Sequence, residues 1–305
     1  MLRSPLTSRS NWRSSDVARA LVVGDVMTDI LVRLEAPFAR GSDAAARIVE
    51  RPGGSAASFA VWLAREGVEV DFCARVAAGD VERLTQAFSA EGVTAWLTGD
   101  PDLATGRLIA VVETSGERSF LTDRGANDAL VFGDIPAAVR ERADWIHLTG
   151  YSFQNLPPRA AAIALIAHAK SPVSVDPGSA APLRAMRAEN FLRWTAGAAA
   201  LFPNADEAAA LTGSDDPEVQ RERLRGKYPL VVVKRGAAGA EAFTESAFWS
   251  AATPPTSVLD TTGAGDAFAA AFVAGRLSGD NAETCLARAV AAGAAATGFV
   301  GGRPV

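Results

Sequence analysis

The sequence predicts an α/β fold, a mostly parallel sheet with helices on both faces and a smaller β-sheet set apart from it. Three observations predict it. Between residues 135 and 234 short apolar runs of strand length alternate with helix-patterned stretches, as parallel strands joined by crossover helices require. These runs end in glycine or polar residues such as Gly150, Asp176 and Lys234, at the sheet edge where ligands gather in such folds. Between residues 29 and 50 and between 106 and 122 further short β-like runs occur, the last two flanking a hairpin signal.

Taken in order, residues 1–18 are rich in Ser and Arg and contain Pro5. They read as a flexible arm, with no apolar stretch placed as in a signal peptide. Residues 20–26 form an apolar run containing Gly24 and Asp25, a buried first strand. Residues 29–35 alternate weakly and suit a strand with one exposed face. Residues 36–47 are small and polar. Pro52-Gly53-Gly54-Ser55 opens a helix bearing Phe59, Trp62 and Leu63; the glycine pair reads either as a turn before an N-cap or as backbone exposed to a ligand. Residues 70–76 read as a strand, followed by a helix to Glu91. Residues 106–112 and 118–122 flank Glu113-Thr114-Ser115-Gly116-Glu117 as a hairpin. With residues 29–35 and 44–50 they predict the small sheet, in segments of about 29–50 and 104–123. Helices are expected over 135–142, 157–170 and 204–211, and strands over 145–149, 173–176, 198–202 and 230–233.

The 305 residues allow one large domain or two small ones, and 49% hydrophobic content allows a sizeable core. A net charge of −5 with no basic run argues against a nucleic-acid partner. Two distant cysteines, Cys73 and Cys285, suggest a reduced, cytoplasmic protein. The only histidines are His147 and His168, which disfavours a histidine zinc site; His147, within Trp145-Ile146-His147-Leu148, reads as a core residue. The apolar run 289–300 is too short and alanine-rich to span a membrane.

The most informative stretch is Asp260-Thr261-Thr262-Gly263-Ala264-Gly265-Asp266, followed by an alanine-rich segment with Phe268 and Phe272 four apart. A glycine loop therefore opens a helix, whose unpaired N–H groups and positive end seat an anion. A carboxylate there repels phosphate. Asp266 makes sense either as a base taking a proton from an attacking hydroxyl or as a residue favouring the helix dipole.

This stretch resembles the C-terminal signature of the ribokinase-like (PfkB) carbohydrate kinases, and the resemblance extends over nearly all of residues 20–305. It implies one kinase domain over 19–305, a three-layer α/β/α sandwich with the small sheet as a lid over the sugar. It implies Asp266 as catalytic base and the Gly263, Ala264 and Gly265 amides as an anion hole. For the acceptor it implies Asp29, Gly53, Gly54, Ser58, Arg124 and Asn127. Ser58 stands where the family has asparagine, and Met27 departs from the pattern that Asp29 matches. For the nucleotide side it implies Asn204, Glu207, Lys234, Gly236 and Gly239, with Glu207 holding Mg²⁺ through water. Asn204 and Glu207 read equally as a helix cap, and Arg235 as solvated. Asp260 matches an aspartate that holds a monovalent cation such as K⁺ in some members, or it caps its loop. The activity implied is transfer of the ATP γ-phosphoryl group to a hydroxymethyl of a sugar or sugar-like molecule, with no membrane partner and a homodimer formed through the lid. The alternatives are a nucleoside kinase, with the base on Trp62, Phe153 or Phe120, and a catalytically silent relative.

Overall fold

A computed structural model describes residues 17–38, 41–115, 117–298 and 300–303; residues 1–16 of the expected arm lie outside these. In chain order come β1 (Arg19–Val23), β2 (Met27–Leu34), β3 (Ala46–Gly53), α1 (Ser55–Arg65), β4 (Glu69–Ala77), α2 (Val81–Ala90), β5 (Val93–Asp100), β6 (Gly106–Val112) and β7 (Arg118–Asp123). Then follow α3 (Ala137–Arg142), β8 (Trp145–Thr149), α4 (Leu156–His168), β9 (Val173–Asp176), α5 (Ala180–Met186), α6 (Ala188–Trp194) and β10 (Ala200–Leu201). The chain closes with α7 (Ala205–Thr212), α8 (Pro217–Leu224), β11 (Leu230–Lys234), β12 (Ala240–Phe243), β13 (Phe248–Ala251), α9 (Ala264–Ser278) and α10 (Ala282–Ala296).

The large sheet has the order β13-β12-β11-β10-β9-β8-β1-β4-β5. β5 through β11 run parallel, and β12 and β13 complete one edge antiparallel. Alternate side chains face opposite helical layers, as strand geometry dictates. Val22, Phe72, Phe202 and Val232 pack with Phe59, Phe88, Phe272 and Leu286 from α1, α2, α9 and α10. Leu21, Val23, Ile146 and Val175 pack with Val139, Leu165, Leu183, Phe191 and Leu211 from the other helices. These are the three layers of the expected sandwich. His147 is core: it stacks on Phe59 with centroids 3.6 Å apart, meets Ser174 Oγ at 2.8 Å, and burial drops its pKa to about 3.

The small sheet has the order β3-β2-β6-β7. β2 pairs antiparallel with β3, setting Asp29 opposite Arg51, and parallel with β6. Some boundaries differ from expectation for local reasons. β1 stops at Val23, because Asp25 turns its carboxylate onto the start of α1. The strand expected over 198–202 pairs for two residues only. Strand β5, the β12–β13 hairpin and helices α5, α6, α8 and α10 escape the sequence reading.

Candidate active site

The loop residue Gly263 has φ +76, and its α-carbon lies so close to the Gly302 carbonyl that a Cβ would come within 2.3 Å of it. Only glycine suits that place. It caps α9, whose first turn holds Asp266. Asp266 Oδ1 accepts a 2.7 Å hydrogen bond from Ser55 Oγ, at the start of α1 and 211 residues away. Burial lifts the Asp266 pKa to about 8; the Asp176 and Asp25 charges push the same way, while the Ser55 hydrogen bond and Lys234 oppose them.

Asp25 is buried and accepts from Ser55 N and Ala56 N at 3.2 Å each, and from Thr149 Oγ1 at 3.3 Å. It caps α1, which has no side-chain cap at Gly54, and so fixes the helix that carries Ser55 and Ser58. β1 lies between β4 and β8, so α1 starts at the crevice where connections leave the sheet in opposite directions, the usual place for a ligand.

Lys234, at the end of β11, reaches across to Asp176 at the end of β9, Nζ to Oδ2 2.5 Å, with both side chains nearly buried. A Cβ on Gly265 would lie 3.3 Å from Lys234 Nζ, so the ammonium is held beside the glycine loop that opens α9. Burial pushes the lysine down, but Asp176, Glu207 and Asp266 outweigh it and leave its pKa above the ordinary value. Glu207 is buried and closes a capping box: Oε2 accepts from Asn204 N at 2.8 Å, Oε1 from Asn204 Nδ2 at 2.7 Å. Burial raises Glu207 to about 7, with Lys234 opposing and Asp176 adding.

Asp29 stands on β2 against Gly53, where a Cβ would be 2.1 Å from Oδ1. Burial raises it to about 6, with Asp25 adding and Arg303 opposing. Ser58 is buried on α1 and faces Gly302, whose Cβ would lie 3.1 Å from its Oγ. Asp260 is not aimed at open space: Oδ1 accepts from Thr262 N and Oγ1, Oδ2 from Gly301 N at 3.0 Å.

Several expected site residues have other employment. Asn127 is buried; its Oδ1 accepts from Val26 N and its Nδ2 donates to Val26 O and Arg124 O, so it staples the turn between β1 and β2. Arg124 pairs with Asp128 at 3.0 Å and lies over Tyr151. Gly239 packs on the Ala251 backbone, whereas Gly236 is open. Arg235, expected in solvent, is nearly buried and paired with Glu241 at 3.2 Å and Gln220 at 2.7 Å. Phe153 is fully buried and cannot stack on a base; Phe120 is exposed, and Trp62 Nε1 donates to Gly302 O. The reading missed Ser55, Asp176 and Arg303. Asp176 alone had a signal, a carboxylate ending a parallel strand.

The model of the pfkB family carbohydrate kinases matches residues 17–304. An ATP-dependent ribose-1-phosphate kinase of Halopiger xanaduensis is 33% identical over 295 residues, covering 94% of each chain. Among solved structures, adenosine kinase from Sinorhizobium meliloti superposes with a TM-score of 0.85 at 24% identity, covering 95% of this chain and 97% of its own, a likeness of fold. Fructokinase from Vibrio cholerae, solved with fructose, ADP and calcium ion, gives 0.77 at 25% identity and 94% coverage of each. The matched chain length, the shared fold and the glycine loop closing on a buried carboxylate lead to one conclusion: the chain belongs to the pfkB family of carbohydrate kinases.

Proposed function

We propose that the protein transfers the γ-phosphoryl group of ATP to a hydroxymethyl oxygen of a sugar, with Asp266 as the base. The observation that carries this is Asp266 itself. Its Oδ1 already accepts a hydroxyl hydrogen, at 2.7 Å from Ser55, beside the start of a glycine-opened helix and a buried lysine. A carboxylate with a pKa of about 8 is matched to general-base work near neutral pH. The acceptor hydroxyl gives Asp266 its proton as its oxygen bonds to the γ-phosphorus, and the bond to the leaving ADP oxygen breaks. The amides of Gly263, Ala264 and Gly265 and the Lys234 ammonium face the negative charge on the transferring group. Asp29 accepts acceptor hydroxyls from the lid side, with the Gly53–Gly54 backbone and Ser58 lining the same pocket.

Among the described residues no cluster of three or more His, Cys, Asp or Glu side chains could hold a metal by itself. The donor set suits Mg²⁺ arriving with the nucleotide and keeping its waters, with Glu207 and Asn204 holding one of them. When bound, such an ion neutralises phosphate charge. Gly236, open and at the end of β11, borders the nucleotide. Asp260, which ties its loop to Gly301, is the seat we assign to a monovalent cation.

Exposed Ile48 and Leu121 lie on one face of the lid and Val49 and Phe120 on the other. Apolar side chains on both faces support a homodimer through the lid. No described helix is long and apolar enough to cross a membrane, and the two cysteines are buried and unpaired, which suits a cytoplasmic setting. A panel of sugars, sugar phosphates, sugar acids and nucleosides assayed for ADP release tests the activity. ADP release with one of the sugar classes is expected; release with nucleosides alone would overturn the sugar reading.

A further inference from the structure

Residues 300–303 form a strap across the acceptor side of the site. Gly301 N donates to Asp260 Oδ2 at 3.0 Å, Trp62 Nε1 to Gly302 O at 3.1 Å, Arg51 Nη1 to Val300 O at 3.1 Å, and Arg303 Nη2 to Gly53 O at 2.9 Å. The strap thus touches the anion-hole loop, α1 and the lid at once. It brings Arg303 to the glycine that abuts Asp29, and Asp29 stands opposite Arg51 in the sheet register.

These two arginines combine two features that the other partly buried arginines do not show together, the absence of an ion pair and an unpartnered Nε; Arg140 and Arg159 also donate only to backbone carbonyls, but their Nε groups are satisfied. Arg75 pairs with Asp100 and Asp134, Arg142 with Asp71, Arg288 with Glu66 and Asp280, and Arg221 and Arg235 share Glu241. Among the described residues, no carboxylate lies within ion-pair distance of Arg51 or Arg303. Each donates to a single backbone carbonyl, Arg303 also lies over the Phe88 ring, and each has a buried Nε with no partner, a feature that Arg221 and Arg235 share while keeping Glu241 as counter-ion. Buried charge is normally paired, because taking a guanidinium out of water costs several kcal/mol otherwise. Two guanidinium groups without an ion pair, both where the strap meets β3, with Glu91, Asp29, Asp266 and Asp25 acting on Arg303 only beyond ion-pair distance, suit an anion from outside the chain.

We infer that Arg51 and Arg303 form an anion subsite, and that the acceptor is a sugar phosphate whose phosphate monoester they hold while its hydroxymethyl faces Asp266. This rests on the kinase reading above. The planar donor fork of arginine matches phosphate oxygens bidentately, and two such groups balance a dianion better than a monoanionic carboxylate. A pentose phosphorylated at its anomeric carbon has the required shape, with the two groups at opposite ends of the ring. Asp29, between them, takes ring hydroxyls.

The test measures kcat/KM with ribose 1-phosphate, ribose and ribonate for the wild type, Arg303→Gln and Arg51→Gln, beside calorimetric binding of the same three compounds. Charge-assisted contacts of about 1.5–3 kcal/mol correspond to roughly ten- to a hundredfold each. The wild type should prefer ribose 1-phosphate over ribose and ribonate by about a hundredfold or more. Either glutamine variant should cut that preference at least about tenfold, while an unchanged Kd for a non-hydrolysable ATP analogue and a single cooperative melting transition report an intact fold. Equal use of ribose and ribose 1-phosphate, a preference for ribonate, or variants that keep the wild-type ratio would overturn the subsite and leave the kinase standing. If no acceptor yields ADP, the kinase reading fails, and calorimetry still decides the subsite: binding of ribose 1-phosphate that both variants lose upholds it, and no binding overturns it.

Discussion

Replacing Asp266 with asparagine separates chemistry from architecture. The amide keeps the size of the side chain and can stay hydrogen-bonded to Ser55, but it cannot accept a proton. Loss of a general base costs about 10²–10⁴-fold, so Asp266→Asn should lower kcat at least ~10²-fold with ATP binding retained. The pH profile makes the test sharper. With a pKa of about 8, roughly a tenth of the free wild-type enzyme holds the ionised base at pH 7 and half at pH 8. Wild-type kcat/KM for the acceptor should therefore rise about fivefold over that interval and level off above it, and the variant should lack this limb. Stability should move the other way. The folded carboxyl titrates above its unfolded value of 3.8, so its contribution is fully present below that value and is lost as pH rises through about 8. Asparagine cannot ionise, so the variant should gain on the wild type between pH 5 and 9. A displacement of one pKa unit is about 1.4 kcal/mol, or roughly 3–5 °C in melting temperature for a chain of this size class. Scanning calorimetry at both pH values and single-turnover kinetics supply the readings. A variant keeping more than about half the wild-type kcat where chemistry limits the rate, or keeping the alkaline limb, would refute the base assignment.

Three further outcomes follow from the same geometry. Ser55→Ala removes a hydrogen bond that holds the Asp266 pKa down, so the rising limb of the rate profile should move to higher pH; an unmoved limb would detach Ser55 from the base. Glu207→Gln should raise the Mg²⁺ concentration needed for half-maximal activity, and an unchanged metal titration would remove Glu207 from the site. Asp29→Ala should raise the acceptor KM roughly ten- to a hundredfold, from lost charge-assisted bonds of about 1.5–3 kcal/mol, with the ATP KM nearly constant. In the wild type the acceptor KM should rise as pH falls through about 6, where Asp29 becomes protonated; weakened ATP with the acceptor untouched would place the sugar elsewhere.

What the sequence could and could not disclose follows from how each residue is held. The glycine loop at the start of α9 was legible because its parts are neighbours in the chain, glycine, glycine and carboxylate at one helix start, where local rules suffice. β1, β8, β9 and β11 were legible because burial on both faces makes them short, mainly apolar runs, whereas β5, at the sheet edge with alternate residues exposed, was not. The residues that complete the site are held by partners far away in the chain. Ser55 meets Asp266 across 211 residues, and in sequence it looks like a serine after a glycine turn. Asp176 gains its place only when β11 brings Lys234 beside it. The reverse also holds: Asn127 and Arg235 look available in sequence, yet the Val26 backbone and Glu241 consume them. Arg303 is the extreme case. No periodicity or spacing singles it out, and its meaning lies in a comparison that only three dimensions permit, between arginines whose charge or whose Nε is met by the chain and two, where residues 300–303 meet β3, that combine an orphaned Nε with no ion pair.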